Sequence, residues 1–187
     1  MNHLIVPFAH LHHNCSMILA PHLDVVGSGK NMAERLNVGD KAPEFTAELT
    51  DGSKVTLSSM LEESGVILYF YPKDNTPGCT TQACDFRDNF GALKSAGWRV
   101  IGVSKDSAKS HQNFIDKHDL PFELIVDSET ELHQLYNTWT EKKLYGRTFL
   151  GCIRSTFVIS QDGSLAWVGY NVKSTGHVER IMNEINV

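Results

Sequence analysis

The chain has 187 residues, 41% of them hydrophobic and 21% charged, with a formal net charge of −5. That length sets the expectation of one domain with a packed core, and the composition excludes wholesale disorder. The acidic balance gives no bulk electrostatic case for nucleic-acid binding, no run of 18 or more apolar residues exists to span a membrane, and four cysteines are too few for a disulfide-stapled secreted scaffold.

Residues 1–35 are expected to be an N-terminal extension, disordered or preceding the true start. They hold His3, His10, His12, His13 and His22, and their short apolar pieces lack periodicity. The first basic residue is Lys30, so neither the positive region of a secretory signal nor an arginine-rich transit peptide is legible. With no targeting signal, the cytoplasm is the expected compartment. The spacing of His10, His12 and His13 fits no tight zinc pattern. Met32 opens the run Met-Ala-Glu-Arg-Leu-Asn-Val-Gly-Asp, which reads as a natural start and makes residues 1–31 a dispensable tail. Cys15, inside that tail, is assigned no role.

From residue 36 to 187 the pattern is regular. Thr46–Leu49 and Val55–Leu57 flank Asp51-Gly52, whose tight turn predicts a hairpin. The unbroken apolar run Val66–Tyr71 predicts a central strand covered on both faces, ended by Pro72 and a Gly/Pro-rich loop. Ala83, Phe86, Phe90 and Leu93 recur at three- and four-residue steps and predict one helical stripe, with Gly97 at its C-cap. Strand Val100–Ser104 completes a βαβ unit, hence parallel strands. A helix at Ser107–His118, a strand at Phe122–Val126 and a helix at Glu129–Tyr136 continue the alternation. Strands at Ser155–Ile159 and Leu165–Tyr170 flank the Asp162-Gly163 turn, and a helix at Thr175–Ile185 closes the chain. The predicted architecture is one α/β domain, a central mixed β-sheet flanked by helices on both faces.

The chemistry gathers at the end of the first core strand. Cys79 falls where the Pro72–Gly78 loop turns into a helix, at its first turn. Unpaired backbone N–H groups and the positive end of the helix dipole there favour a thiolate. Ligand sites of open α/β sheets also lie at the carboxyl ends of their strands. Thr76 offers a hydroxyl three residues earlier, and Pro72 and Pro77 stiffen the loop and limit solvent access. The bland reading of such a cysteine is a small buried hydrophobe.

Cys84 follows Cys79 by five residues. On an ideal helix that step separates Cα atoms by about 8.7 Å, beyond the roughly 7 Å that a disulfide tolerates. Either the two never pair, or the first turns of the helix unwind to let them meet. Zinc is the rival use for two nearby cysteines, but it needs two further ligands, and no second Cys pair or His-x-x-x-His exists in the domain. Arg154 immediately precedes the strand Ser155–Ile159, so its guanidinium is positioned to reach the active end of a neighbouring strand. Beside a thiolate it would stabilise the charged sulfur and a leaving oxygen; the alternative is a surface arginine paired with an acid. Cys152 reads as a strand-edge packing residue, and Trp139 and Trp167 as core or lid aromatics.

Pro72-x-x-x-Thr76-x-x-Cys79, with Arg154-Ser155-Thr156-Phe157 far downstream, resembles the peroxiredoxin signature. The stretch Tyr71-Pro72-Lys73-x-x-Thr76-Pro77-Gly78-Cys79-Thr80-x-Gln82-Ala83-Cys84 is similar to the bacterioferritin comigratory protein, or Q-type, subgroup, as are Asn37–Phe45 and Lys143-x-Tyr145-Gly146-x-x-x-x-Gly151. The resemblance runs from about Leu36 to Val187. It implies a thioredoxin-like fold and a thiol peroxidase acting on hydrogen peroxide and organic hydroperoxides. By that resemblance Cys79 is the peroxidatic cysteine, Thr76 and Arg154 orient the peroxide, and Pro72 shields the sulfur. Cys84 is then the resolving cysteine, forming a redox-active Cys79–Cys84 disulfide that thioredoxin, or glutaredoxin, reduces. The resemblance implies no metal or other cofactor and favours a monomer over a dimer. The subgroup usually carries an aliphatic residue where Cys152 stands, which opens the question of a third redox thiol.

Two other classes of function compete. A thiol–disulfide oxidoreductase would want a Cys-x-x-Cys spacing, which the domain lacks. A non-catalytic interaction or chaperone module would carry an unreactive Cys79.

Overall fold

The structure, a computed structural model, describes residues 35–144 and 146–187. The expected extension, with Cys15 and its histidines, lies outside the described residues except for Arg35. In chain order the elements are β1 (Thr46–Leu49), β2 (Lys54–Thr56), α1 (Leu57–Leu61), β3 (Gly65–Phe70), α2 (Pro77–Asp88), α3 (Phe90–Ser95), β4 (Trp98–Ser104) and α4 (Ala108–His118). They continue with β5 (Glu123–Val126), α5 (Glu131–Leu135), β6 (Trp139–Leu144), β7 (Arg147–Cys152), β8 (Ser155–Ile159), β9 (Leu165–Gly169) and α6 (His177–Glu184).

Seven strands form one mixed sheet in the order β2-β1-β5-β4-β3-β8-β9, while β6 and β7 pair as a separate ribbon. β3, β4 and β5 run parallel; β8 is antiparallel to β3, with Phe70 opposite Ser155. Every residue of β3 is buried, and the pleat sends them alternately to two cores. Val66, Leu68 and Phe70 pack with Leu57 and Met60 of α1 and Leu132 of α5. Ile67 and Tyr69 pack with Ala83 and Phe86 of α2, Leu93 of α3, Phe114 of α4 and Ile181 of α6. The expected α/β architecture with helices on both faces is therefore present. Among the described residues no helix is long and apolar enough to cross a membrane.

Three local features depart from the sequence reading. The predicted stripe Ala83–Leu93 is buried or half-buried as expected, but the helix breaks at Asn89, whose side chain donates to the Asp85 carbonyl and whose backbone leaves helical geometry. Gly97 still follows that helical pair at φ +83°, where only glycine is comfortable. The second hairpin strand stops at Thr56, because Thr56 and Ser59 form a reciprocal capping box that starts α1 at Leu57. The β6–β7 ribbon was not expected at all: its strands alternate weakly and expose Phe149 and Leu150.

Candidate active site

Thr76 caps α2 in extended conformation, Pro77 takes the first helical position and Gly78 the second, so Cys79 sits in the first turn. The amides of Gly78 and Cys79 belong to the set that no intrahelical carbonyl satisfies, and they give this end of α2 its positive polarity. Cys79 is 2% exposed and packs within the core that lies between the sheet and α2.

Because β8 runs antiparallel to β3, the residue before its first strand position lies beside the end of β3. That residue is Arg154. Its Nη2 donates to Cys79 Sγ at 3.2 Å and its Nη1 donates to Gln82 Oε1 at 2.5 Å. Gln82 is fully buried on the same helix face, one turn beyond Cys79, and holds the guanidinium against the sulfur. Its Nε2 has no partner among the described residues. The Arg154 carbonyl accepts from Val172 N at 2.9 Å, which ties the segment after β9 to the site. A side-chain carbon at Gly78 would stand 3.3 Å from Ser174 Oγ and 3.4 Å from Arg154 Nη2, so glycine keeps the approach to the guanidinium open.

The structure thus brings together Cys79 and Arg154, as the sequence suggested, and adds Gln82. Thr76 stands at the mouth of the helix; its hydroxyl donates to the Lys73 carbonyl at 3.0 Å rather than to the sulfur. Pro72 lies just past β3 and is exposed. Cys84 is half-buried within the unbroken helix α2, and Cys79, Cys84 and Cys152 are all free thiols. Cys152 is buried at the end of β7, with its Sγ donating to the Ile153 carbonyl at 3.5 Å. Burial pushes its thiol up to about 12, against the smaller opposing pull of Lys142 and Arg154. Behind Cys79, Tyr69 buries a hydroxyl without a partner among the described residues, and burial pushes its phenol well above the usual tyrosine range. Thr156 Oγ1 and His177 Nε2 lie 2.8 Å apart at the start of α6. Sequence reasoning named Gln82 only within the Q-type stretch and gave it no role, although its three-residue step from Cys79 places both on one helix face. No group of three or more His, Cys, Asp or Glu that could hold a metal occurs among the described residues.

Residues 38–168 match the AhpC/TSA family. A Mycobacterium tuberculosis protein named as a peroxiredoxin is 45% identical over 153 residues, covering 82% of this chain and 97% of the relative. Peroxiredoxin Bcp of Bacillus subtilis is 41% identical over 150 residues, 80% of this chain and 95% of the relative. Among solved structures, a bacterioferritin comigratory protein of Xanthomonas campestris, studied for its alkyl peroxide reduction activity, superposes with a TM-score of 0.72 at 35% identity, over 76% of this chain and 90% of that one.

Proposed function

This chain belongs to the AhpC/TSA family, among its Bcp and Q-type peroxiredoxins with a thioredoxin-like fold, and from that premise we propose that it is a two-cysteine peroxidase with Cys79 peroxidatic and Cys84 resolving. The observation that carries this reading is the Arg154 Nη2 donor 3.2 Å from Cys79 Sγ at a helix N-terminus. A cation and a positive helix end favour a charged sulfur, and only the thiolate is a nucleophile.

The Cys79 thiolate attacks one oxygen of a hydroperoxide. An S–O bond forms as the O–O bond breaks, the sulfur gives up two electrons, and the departing oxygen takes a proton and leaves as water or an alcohol. Arg154 stabilises charge on that departing oxygen, and the Thr76 hydroxyl, exchanging its Lys73 partner for the substrate, orients the peroxide. Pro72 stiffens the loop and limits water at the sulfur. Cys79 is left as a sulfenic acid. The Cys84 sulfur then attacks it: the S–S bond forms, the S–O bond breaks, and the hydroxyl leaves with a proton as water.

That second step requires α2 to open, because a five-residue helical step holds the two Cα atoms about 8.7 Å apart and a disulfide closes only within about 7 Å. A dithiol of the thioredoxin or glutaredoxin class reduces the bridge, acting on a monomer. The alkyl peroxide activity of the Xanthomonas campestris relative supports organic hydroperoxides as substrates beside hydrogen peroxide.

The test is to mix reduced protein with one equivalent of hydrogen peroxide and follow free thiols, intact mass and peptide maps. Loss of two thiols as a Cys79–Cys84 bridge is the expected result. Oxidation of Cys79 alone would remove Cys84 from its role, and thiols that all survive for seconds would overturn the peroxidase.

A further inference from the structure

Asp74 lies five residues before Cys79 and two before Thr76, yet it is buried. A carboxylate taken out of water is costly unless its oxygens are engaged, and here they are. Tyr71 Oη donates to Oδ1 at 2.7 Å, Ser110 Oγ donates to Oδ2 at 2.7 Å, and His111 Nδ1 stands 3.0 Å from Oδ2. His111 is fully buried, and its Nε2 lies 3.2 Å from the Ile125 carbonyl. One ring nitrogen thus faces the Ile125 carbonyl and the other the Asp74 carboxylate, with Tyr71 Oη also 3.3 Å from Nδ1. Burial opposes ionisation of Asp74, but the hydrogen bonds and charge of His111 outweigh it and hold the carboxyl below its ordinary value. The Asp74 amide donates to Asp106 Oδ2 at 2.7 Å, and Ser104 Oγ donates to that same oxygen at 3.0 Å.

The cluster ties one loop to the ends of the three parallel strands: Tyr71 follows β3, Ser104 ends β4, Ile125 belongs to β5, and Ser110 and His111 form the first turn of α4. Among the described residues the loop is also held by the Tyr71 amide, which donates to the Val103 carbonyl at 3.1 Å, and by a 3.4 Å contact between Asn75 Oδ1 and His118 Nε2. Pro72, Lys73 and Asn75 are exposed, and Asn75 takes φ +55° to make the turn into Thr76. A buried carboxylate–imidazole pair is a poor device for raw stability, since apolar groups of the same shape serve as well or better. What it supplies is direction, because its bonds are made at one geometry only.

We infer that Asp74 and His111 are positioning residues for the peroxide reaction: their pair fixes the 71–76 loop, and through it Thr76 and the first turn of α2, against the strand ends. The inference rests on the proposed role of Cys79. Neither residue touches the sulfur in this arrangement; they act through the loop.

Two rates separate positioning from mere folding. Oxidation of the reduced protein by hydrogen peroxide, followed by stopped-flow tryptophan fluorescence, needs the peroxide held at the loop. Alkylation of Cys79 by iodoacetamide needs only an accessible thiolate. The comparison uses the parent chain, Asp74→Asn, and the doubly neutral Asp74→Asn/His111→Gln, which leaves no buried charge unpaired. The expected result is a peroxide rate lower by about ten- to a hundredfold in both variants, with melting temperature and alkylation rate of the double variant near those of the parent. A peroxide rate equal to the parent's overturns the inference, and so does a parallel fall of both rates. Where the double variant does not fold, Ser110→Ala carries the same expectation, because it removes the donor to Asp74 Oδ2 and loosens the carboxylate that holds the loop. A parent chain that itself ignores peroxide overturns the peroxidase reading and this inference with it.

Discussion

Two buried cysteines lie close to the same arginine in sequence or space, and their surroundings divide the chemistry between them. Cys79 receives a guanidinium N–H at a helix N-terminus, whereas Cys152 donates its own proton to the Ile153 carbonyl. With its thiol pushed up to about 12, Cys152 stays protonated throughout the range in which Cys79 is proposed to work. This bears on the third-thiol question that the sequence opened, where an aliphatic residue was expected. Cys152→Val should leave the rate of peroxide oxidation and the two-thiol loss unchanged, at a stability cost under about 1.5 kcal/mol for an apolar swap of similar volume. Peptide mapping after one equivalent of peroxide checks it: a Cys152 peptide found in a disulfide or as a sulfenic acid would show that a third thiol takes part.

At the scale of elements, α2 has two opposed tasks in the proposed cycle. It must be intact to present Cys79 to Arg154, and it must open to deliver Cys84. The opening step should therefore respond to helix propensity where the first step does not. Thr81 is exposed on the second turn, with its hydroxyl donating back to the Pro77 carbonyl at 3.0 Å. Thr81→Ala improves intrinsic propensity by roughly 0.5 kcal/mol and should slow disulfide formation about two- to threefold, leaving the initial oxidation unaffected. Stopped-flow traces that resolve the two phases test this, and equal slowing of both phases would refute it.

The same helix shows how far sequence reasoning reaches. Its start, its buried face and the glycine beyond its partner were legible, because Pro at the first position, apolar three- and four-residue spacing and a positive-φ glycine each leave a local mark. The break at Asn89 was not, since a side-chain bond to a carbonyl one turn back is compatible with either a straight or a broken helix. The β6–β7 ribbon escaped because Lys142, Lys143 and Thr148 interrupt the apolar alternation that marks a half-buried strand. Within the site, Cys79 and Arg154 stood out by residue type and placement. Gln82 did not, because a glutamine on a helix gains its meaning only from the guanidinium that the distant strand brings to it. Asp74 and His111 were silent for the same reason: their pairing joins positions 37 apart in the chain.

For the whole molecule, the packing of α6 against the sheet sets a pH limit. His177 is buried at the start of that helix beside Thr156 of β8, and burial, then the nearby Arg180 and Arg154, bring its imidazole down to about 4. Between the ordinary histidine value near 6.5 and about 4, the unfolded chain takes up a proton that the folded chain refuses. Folding is thus undisturbed by this group above pH 6.5 and loses stability as the pH falls below it, by roughly 2–3 kcal/mol at pH 4.5. Urea unfolding at pH 7 and pH 4.5 should show that loss in the parent chain and a correspondingly smaller one in His177→Gln. Equal losses in both proteins would place the acid sensitivity elsewhere.

Arg154 and Cys79 are 75 residues apart in the chain and meet only because β8 returns antiparallel to β3. On a ribosome adding about 5–20 residues per second, roughly 4–15 s pass between the two. Throughout that interval the nascent chain carries the cysteine without its cation or strands β8 and β9. Translation therefore delivers the thiol before the guanidinium that meets it. The Arg154–Cys79 contact forms only when β8 docks beside β3, so the sulfur of the proposed peroxide reaction acquires its cation last.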